Sequence, residues 1–216
     1  MGENFNMADF EEYMRDGQVD HPPALYEDYK STVLRSPSRK AVRLEHTLSE
    51  ITGPIYGHGP ILEGEDDLSI VEGEEAQGQR IFVSGQVLDE NGKAVPNTLI
   101  EIWQCNAAGR YRHEVDQHPA PLDPNFVGGG RVVTDDRGSY KFTTIKPGAY
   151  PWGNHHNAWR PAHIHFSLFG PAFVTRLITQ MYFPGDPLFP FDPIYNSIPN
   201  EKARERLISS FDLETT

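Results

Sequence analysis

Two histidines one residue apart lie in the stretch Trp159-Arg160-Pro161-Ala162-His163-Ile164-His165-Phe166. In an extended strand, side chains two positions apart share a face, so His163 and His165 can present two imidazoles to one ion. Imidazole suits zinc, copper, iron and nickel alike, and the pair by itself fits ordinary core or surface structure as well. The remaining donors must decide. The chain has one cysteine, Cys105, far from the pair in sequence, and the next acid after His165 is Asp186. That weakens a cupin site and a two-histidine, one-carboxylate iron site. The oxygen donors on offer are phenols. Tyr150 sits in Lys146-Pro147-Gly148-Ala149-Tyr150-Pro151-Trp152, a loop stiffened by prolines, and Tyr111 sits in Asn106-Ala107-Ala108-Gly109-Arg110-Tyr111-Arg112-His113. Either tyrosine alone could be a packed aromatic.

The elements that would position these residues are strands. From Arg80 the apolar pattern has period two, which predicts strands over 81–88, 98–104, 131–134, 140–145, 163–169 and 177–183. Asp89-Glu90-Asn91-Gly92 reads as a hairpin turn, and Asp135-Asp136-Arg137-Gly138 as the turn of a second hairpin joining 131–134 to 140–145. Short strands joined by turns predict a mainly β protein, a β-sandwich with long loops such as 107–130. Loops of that length are often functional. Asn200 can cap a short C-terminal helix from about Glu201 to Asp212, with Ala203, Leu207 and Phe211 on one face. Residues 1–79 read as an N-terminal extension with a short helical stretch around Leu25 to Leu34, wrapping the core and a partner. The segment from Glu63 to Gln79 has seven acids and no base, and is expected to be a solvated loop. Residues 80–216 form the sandwich, and the whole reads as a single domain.

Composition narrows the classes further. The 216 residues are 38% hydrophobic and 11% aromatic, with 19 glycines and 18 prolines. This suits a turn-rich β fold with a real core. No apolar run is long enough to cross a bilayer. The formal net charge of −12 argues against nucleic acid and anionic membranes as partners. One cysteine excludes an intrachain disulfide framework. The polar, acidic start lacks the basic and apolar stretches of a secretory signal, so a cytoplasmic location is expected.

The order and context of Tyr111, Tyr150, His163 and His165 resemble the ferric site of the intradiol ring-cleavage dioxygenases. The stretch Phe82 to Tyr111 is similar to that family's signature, with Gly85, Pro96, Ile100-Glu101-Ile102 and Gly109-Arg110-Tyr111. Pro121-Leu122-Asp123-Pro124-Asn125-Phe126, the Pro147-to-Trp152 loop and Trp159 to His165 resemble the β chains of its protocatechuate-cleaving members. The resemblance runs from about Pro22 to Leu213. It implies a mononuclear non-haem Fe(III) held by Tyr111, Tyr150, His163 and His165. Phenolates are hard anionic donors that favour the trivalent ion, and a cation lowers the pKa of bound phenol and water. The resemblance further implies cleavage of protocatechuate by dioxygen to 3-carboxy-cis,cis-muconate, a step of aromatic catabolism in the β-ketoadipate pathway.

The resemblance also implies roles for other residues. Arg160 would stabilise negative charge developing on the ring. Gln180 would hydrogen-bond near Arg160 and the metal-bound solvent. Tyr150 would take a substrate proton. Trp152 would form a pocket wall, and Tyr29 would reach the substrate carboxylate. Trp103 is expected to pack around the ligand-bearing strands. His113, His118, His155 and His156 match no ligand position. A homologous α chain is implied, pairing with this chain so that the pocket lies at their interface, with higher assembly beyond. Three alternatives remain. One is an intradiol enzyme for catechol or hydroxyquinol; another is a non-catalytic β-sandwich assembly subunit. The third is a zinc or copper site, for which two tyrosines would be odd ligands.

Overall fold

The computed structural model describes residues 22–39, 60–153, 156–170 and 176–212. The elements in chain order are α1 (Lys30–Arg35), β1 (Ile70–Val71), β2 (Glu74–Glu75), β3 (Arg80–Gln86), β4 (Leu99–Trp103) and β5 (Gly129–Val133). Then come β6 (Ser139–Ile145), β7 (Tyr150–Trp152), β8 (Ala158–Arg160), β9 (His163–Phe169) and β10 (Arg176–Tyr182). A 3-10 turn (Phe189–Phe191), α2 (Pro193–Asn196) and α3 (Glu201–Glu205) follow. Strands β10, β9, β4 and β5 form one antiparallel sheet in that order, and β3 pairs with β6 in another. Two short ribbons, β1 with β2 and β7 with β8, complete the pairings.

Alternation decides which faces meet. Ile100 and Ile102 of β4, Val132 of β5, and Ile164 and Phe166 of β9 form one core cluster with Val83 of β3 and Phe142 and Ile145 of β6. Inward faces from both sheets thus fill a sandwich, as predicted. The opposite parity of β9 places His163, His165 and Ser167 on the outer face of the larger sheet. An antiparallel sheet can leave that face wet. Here His163 and Ser167 are fully buried: the Tyr150 hydroxyl of β7 lies over His163, and Arg176 Nε donates to Ser167 Oγ at 2.8 Å.

Both predicted turns form, through an aspartate each. Asp89 Oδ1 accepts from Asn91 N and Lys93 N at 2.9 Å. Asp135 Oδ1 accepts from Arg137 N and Ser139 N at 2.8 Å. The expected second hairpin is corrected: β5 pairs with β4, while β6 pairs with β3 across the sandwich. Val132 and Phe142 both belong to the core cluster, each reaching it from the inward face of its own sheet. The first turn closes only the Leu88–Ala94 bridge, and β4 joins the other sheet.

Three further expectations are revised. The acidic segment 63–79 is not simply solvated: Leu68 is 1% exposed and belongs to the core. Beside it, Glu65 grips Arg131 with oxygens 2.5 and 2.6 Å from Nε and Nη2. The closing helix ends at Glu205 rather than Asp212. Asn200 caps it as predicted, accepting from Lys202 N at 3.0 Å. The chain then returns to the sheet: Tyr182 N donates to Leu207 O at 2.8 Å and Ser209 N to Tyr182 O at 2.9 Å. This leaves Phe211 exposed. In the N-terminal segment the helix starts later than Leu25, at Lys30, after a turn in which Thr32 N donates to Tyr29 O at 2.8 Å. The expected wrapping by residues 1–79 falls largely on 1–21 and 40–59, outside the described residues. Among the described residues, no helix is long and apolar enough to cross a membrane.

Candidate metal centre

Sheet register places the first half of the site. His165 of β9 lies opposite Trp103 of β4 on one side and Gln180 of β10 on the other. His163 lies opposite Tyr182. The Trp103 and His165 rings stack with centroids 4.7 Å apart and planes 3° from parallel, so Trp103 packs on a ligand-bearing strand as expected. His163 Nδ1 lies 2.7 Å from Pro161 O. Donation there fixes the tautomer and leaves the Nε2 lone pair free for an ion. Burial, and then the nearby Arg160 cation, hold both imidazoles below their ordinary pKa, that of His165 at about 3. Both rings are therefore neutral at pH 7, the state a metal ligand requires.

The second half comes from two loops pressed together. Gly109 has φ +79°, and a Cβ there would lie 2.4 Å from Ala149 O. A Cβ on Gly148 would lie 2.4 Å from Ala107 O, and Gly148 N donates to Asn106 O at 3.0 Å. The glycines of the Gly-Arg-Tyr and Pro-Gly-Ala-Tyr motifs thus allow the two tyrosine-bearing loops to touch. Asp116 Oδ2 accepts from Tyr111 N at 2.7 Å and holds the loop from outside. The Tyr111 and Tyr150 rings meet nearly at right angles, 87°, with centroids 5.5 Å apart.

All four predicted donors converge. Tyr111 Oη lies 3.2 Å from His165 Nε2, and Tyr150 Oη lies 3.5 Å from His163 Nε2. Burial raises the pKa of both phenols; for Tyr111 the neighbouring Tyr150 adds to this, and for Tyr150 the Arg160 cation opposes it. A trivalent ion among these oxygens would reverse the preference and favour phenolate. Among the described residues, no group of three or more His, Cys, Asp or Glu could hold a metal ion. The donor set is mixed phenol and imidazole, which fits a hard, highly charged cation such as ferric iron.

Arg160 sits beside this cluster, 3% exposed, on β8 opposite Tyr150 of β7. Its Nη2 donates to Gln180 Oε1 and to Tyr182 Oη, the latter at 3.2 Å. Its Nε lies 3.1 Å from Asp192 Oδ1. The Trp152 ring centroid is 5.6 Å from the guanidinium carbon, and Tyr29 packs edge-on against Trp152 at 4.8 Å. An open cavity of about 710 Å³ is lined by Tyr111, Tyr150, Trp152, Trp159, Asp116 and His118. The structure therefore gathers Trp152, Arg160 and Gln180 around the four donors, with Tyr29 behind Trp152.

Sequence reasoning missed Tyr182 and Asp192. Tyr182 stands two residues beyond Gln180 on a strand and so shares its face. Asp192-Pro193 is a helix-start signal, and Asp192 Oδ1 does accept from Ile194 N at 2.9 Å. Neither signal says that the carboxylate turns inward. Cys105 is buried, its thiol donating to Gly148 O at 3.3 Å and pushed up to about 12 by burial. It is a packed, inert thiol. His113 and His156 are exposed, and His155 lies outside the described residues.

A family model described as Dioxygenase matches residues 51–216. Another, Protocatechuate 3,4-dioxygenase beta subunit N terminal, matches residues 13–47. The chain is 58% identical over 198 residues to the protocatechuate 3,4-dioxygenase beta chain of Burkholderia cepacia, covering 91% of this chain and 84% of that one. It is 32% identical to the catechol 1,2-dioxygenase of Candida albicans over 76% of this chain, spanning 56% of that relative's length. Among solved structures, 3-chlorocatechol 1,2-dioxygenase from Rhodococcus opacus 1CP is similar with TM-score 0.51 and 27% identity, over 67% of this chain and 59% of that one. Hydroxyquinol 1,2-dioxygenase from Pseudomonas putida DLL-E4 shares the fold, with TM-score 0.53 and 23% identity over 84% of this chain and 60% of that one. The chain belongs to the intradiol ring-cleavage dioxygenase family.

Proposed function

We propose that this chain is the catalytic β subunit of a protocatechuate 3,4-dioxygenase, with Tyr111, Tyr150, His163 and His165 holding one non-haem Fe(III). The observation that carries the reading is the convergence of two phenol oxygens on two imidazole nitrogens at 3.2 and 3.5 Å. The 58% identity to a protocatechuate 3,4-dioxygenase beta chain supports the substrate. When bound by Tyr111, Tyr150, His163 and His165, the ferric ion would supply Lewis-acid chemistry that makes a catechol ring reactive toward dioxygen. The product would be 3-carboxy-cis,cis-muconate.

The chain's own residues have separate tasks in this reading. Tyr150 Oη, which bound iron would hold as phenolate, would accept a catechol proton and so become the neutral phenol that its buried site favours. Arg160 cannot lose its proton at any working pH, so it offers a permanent charge to the electron-rich ring as negative charge shifts during cleavage. Gln180 accepts from Arg160 and holds it on the His165 side. Trp152 forms the wall against which the flat ring lies, and Tyr29, packed edge-on against it, would reach toward the substrate carboxylate. The net charge of −12 disfavours an anionic substrate, so part of the attraction comes from an α chain completing the pocket. The described residues 60–79 precede the catalytic sandwich and contribute Leu68 to its core.

The test is direct. The chain is co-expressed with its α partner, loaded with iron, mixed anaerobically with protocatechuate, and then given ¹⁸O₂. The reading predicts a spectral change on mixing and a ring-opened product carrying both labelled atoms. A colourless protein, no turnover, or catechol or hydroxyquinol as the far better substrate contradicts it.

A further inference from the structure

We propose that Asp192 and Tyr182 are positioning residues that fix the direction in which Arg160 presents its charge to the site; the inference rests on the role of Arg160 given above. The buried guanidinium is met on two sides. Asp192 Oδ1 lies 3.1 Å from Nε, a charge contact outside hydrogen-bond geometry, and Tyr182 Oη lies 3.2 Å from Nη2, which donates to it. Tyr182 Oη also lies 3.0 Å from Asp192 Oδ2 and 2.9 Å from Gln180 Oε1. The four side chains form one closed polar network roofing the outer face of the sheet.

Asp192 is anchored more firmly than a counter-ion requires. It is 0% exposed. Its carboxylate caps α2 through Ile194 N at 2.9 Å, and its backbone carbonyl accepts from Asn196 N at 3.0 Å. The carboxylate therefore cannot follow the arginine; the arginine must conform to it. Arginine has a long side chain with many rotamers, and a planar fork that is useful only when oriented. A cation this deeply buried also needs a charge partner. Tyr182 is set by the register that places it opposite His163, and its ring packs against Phe189 and Tyr195 with centroids 5.8 and 5.3 Å away. A buried counter-charge from the α2 cap and a hydrogen-bonded hydroxyl from β10 thus bracket the guanidinium, while β7–β8 pairing fixes its backbone opposite Tyr150.

The experiment uses the iron-loaded complex with the α chain and compares wild type, Asp192→Asn, Arg160→Gln and the double variant. Asparagine keeps an oxygen to cap α2 but loses the charge. The proposal expects Asp192→Asn to lower kcat about 10- to 100-fold, the range for loss of an orienting partner. KM should change little, and the visible charge-transfer band should be unmoved. In the Arg160→Gln background the same change should cost nothing further, because residues acting through one group are non-additive. Multiplying losses, or wild-type kcat in Asp192→Asn, would overturn the proposal. If Asp192→Asn does not fold, Tyr182→Phe carries the same cycle: it keeps the ring and removes the hydroxyl, and the expected and overturning results are the same. A wild-type complex lacking both the band and turnover refutes the metal reading itself. A coloured, active wild type with multiplying losses refutes only the positioning role.

Discussion

Tyr150 and Arg160 stand directly opposite each other across the β7–β8 ribbon. Opposed side chains of an antiparallel pair lie on one face with Cβ atoms about 5 Å apart, so a phenol and a permanent cation are delivered to the same spot by backbone pairing. Burial alone would hold the Tyr150 hydroxyl firmly protonated, and Arg160 works against it. Replacing Arg160 by lysine keeps the charge but loses the fork that reaches Gln180, Tyr182 and Asp192 together. Steady-state kinetics of Arg160→Lys should show kcat lowered about 10²-fold. Near-normal turnover would mean that charge alone suffices.

The contact between the two tyrosine loops predicts a backbone effect. Alanine at position 109 would need a left-handed conformation and would press on Ala149 O. Gly109→Ala should lose about 1–3 kcal/mol of stability and, with Tyr111 displaced, bind less iron per chain. Denaturant unfolding and metal analysis check both. Full iron content would separate the loop contact from the placement of Tyr111.

The acidic segment before β3 contributes to the core through Leu68. Leu68→Ala should destabilise the fold by about 2–4 kcal/mol, the usual cost of emptying a well-packed leucine site. A change close to zero would restore the reading of this segment as a solvated loop.

Stability should depend on pH through Glu65. The hydrogen-bonded Arg131 guanidinium holds the Glu65 carboxyl below its ordinary value of 4.5. A depressed carboxyl pKa contributes stability above the unfolded value, and that contribution fades as pH falls through the folded value. Glu65→Gln should therefore melt below wild type at pH 7, with the gap closing below about pH 4. A gap that stays constant with pH would assign the effect to packing.

The strands and the histidine pair were legible because their signals are local, whereas Tyr111 and Tyr150 stood out only through the family resemblance of their motifs. Period-two alternation marks β3, β4, β6, β9 and β10, and one His-x-His spacing puts two rings on one face. Strand partnering was less legible. The turn at Asp135 looks like a hairpin, yet β5 pairs with β4 and β6 with β3 across the sandwich, long-range partnerings that the turn residues do not encode. The end of the closing helix was hidden for a similar reason: Leu207 and Ser209 exchange helical bonding for pairing with Tyr182, a long-range contact. Asp192 reads locally as a helix cap, and its inward use depends on Arg160, 32 positions earlier in the chain.

The central claim concerns the pairing of two phenols with two imidazoles around one ferric ion, and the visible spectrum of the iron-loaded complex tests it most directly. The account predicts a red-brown protein whose phenolate-to-iron absorption weakens or shifts in both Tyr111→Phe and Tyr150→Phe. A colourless iron-loaded protein, or a band unchanged by either substitution, would contradict it.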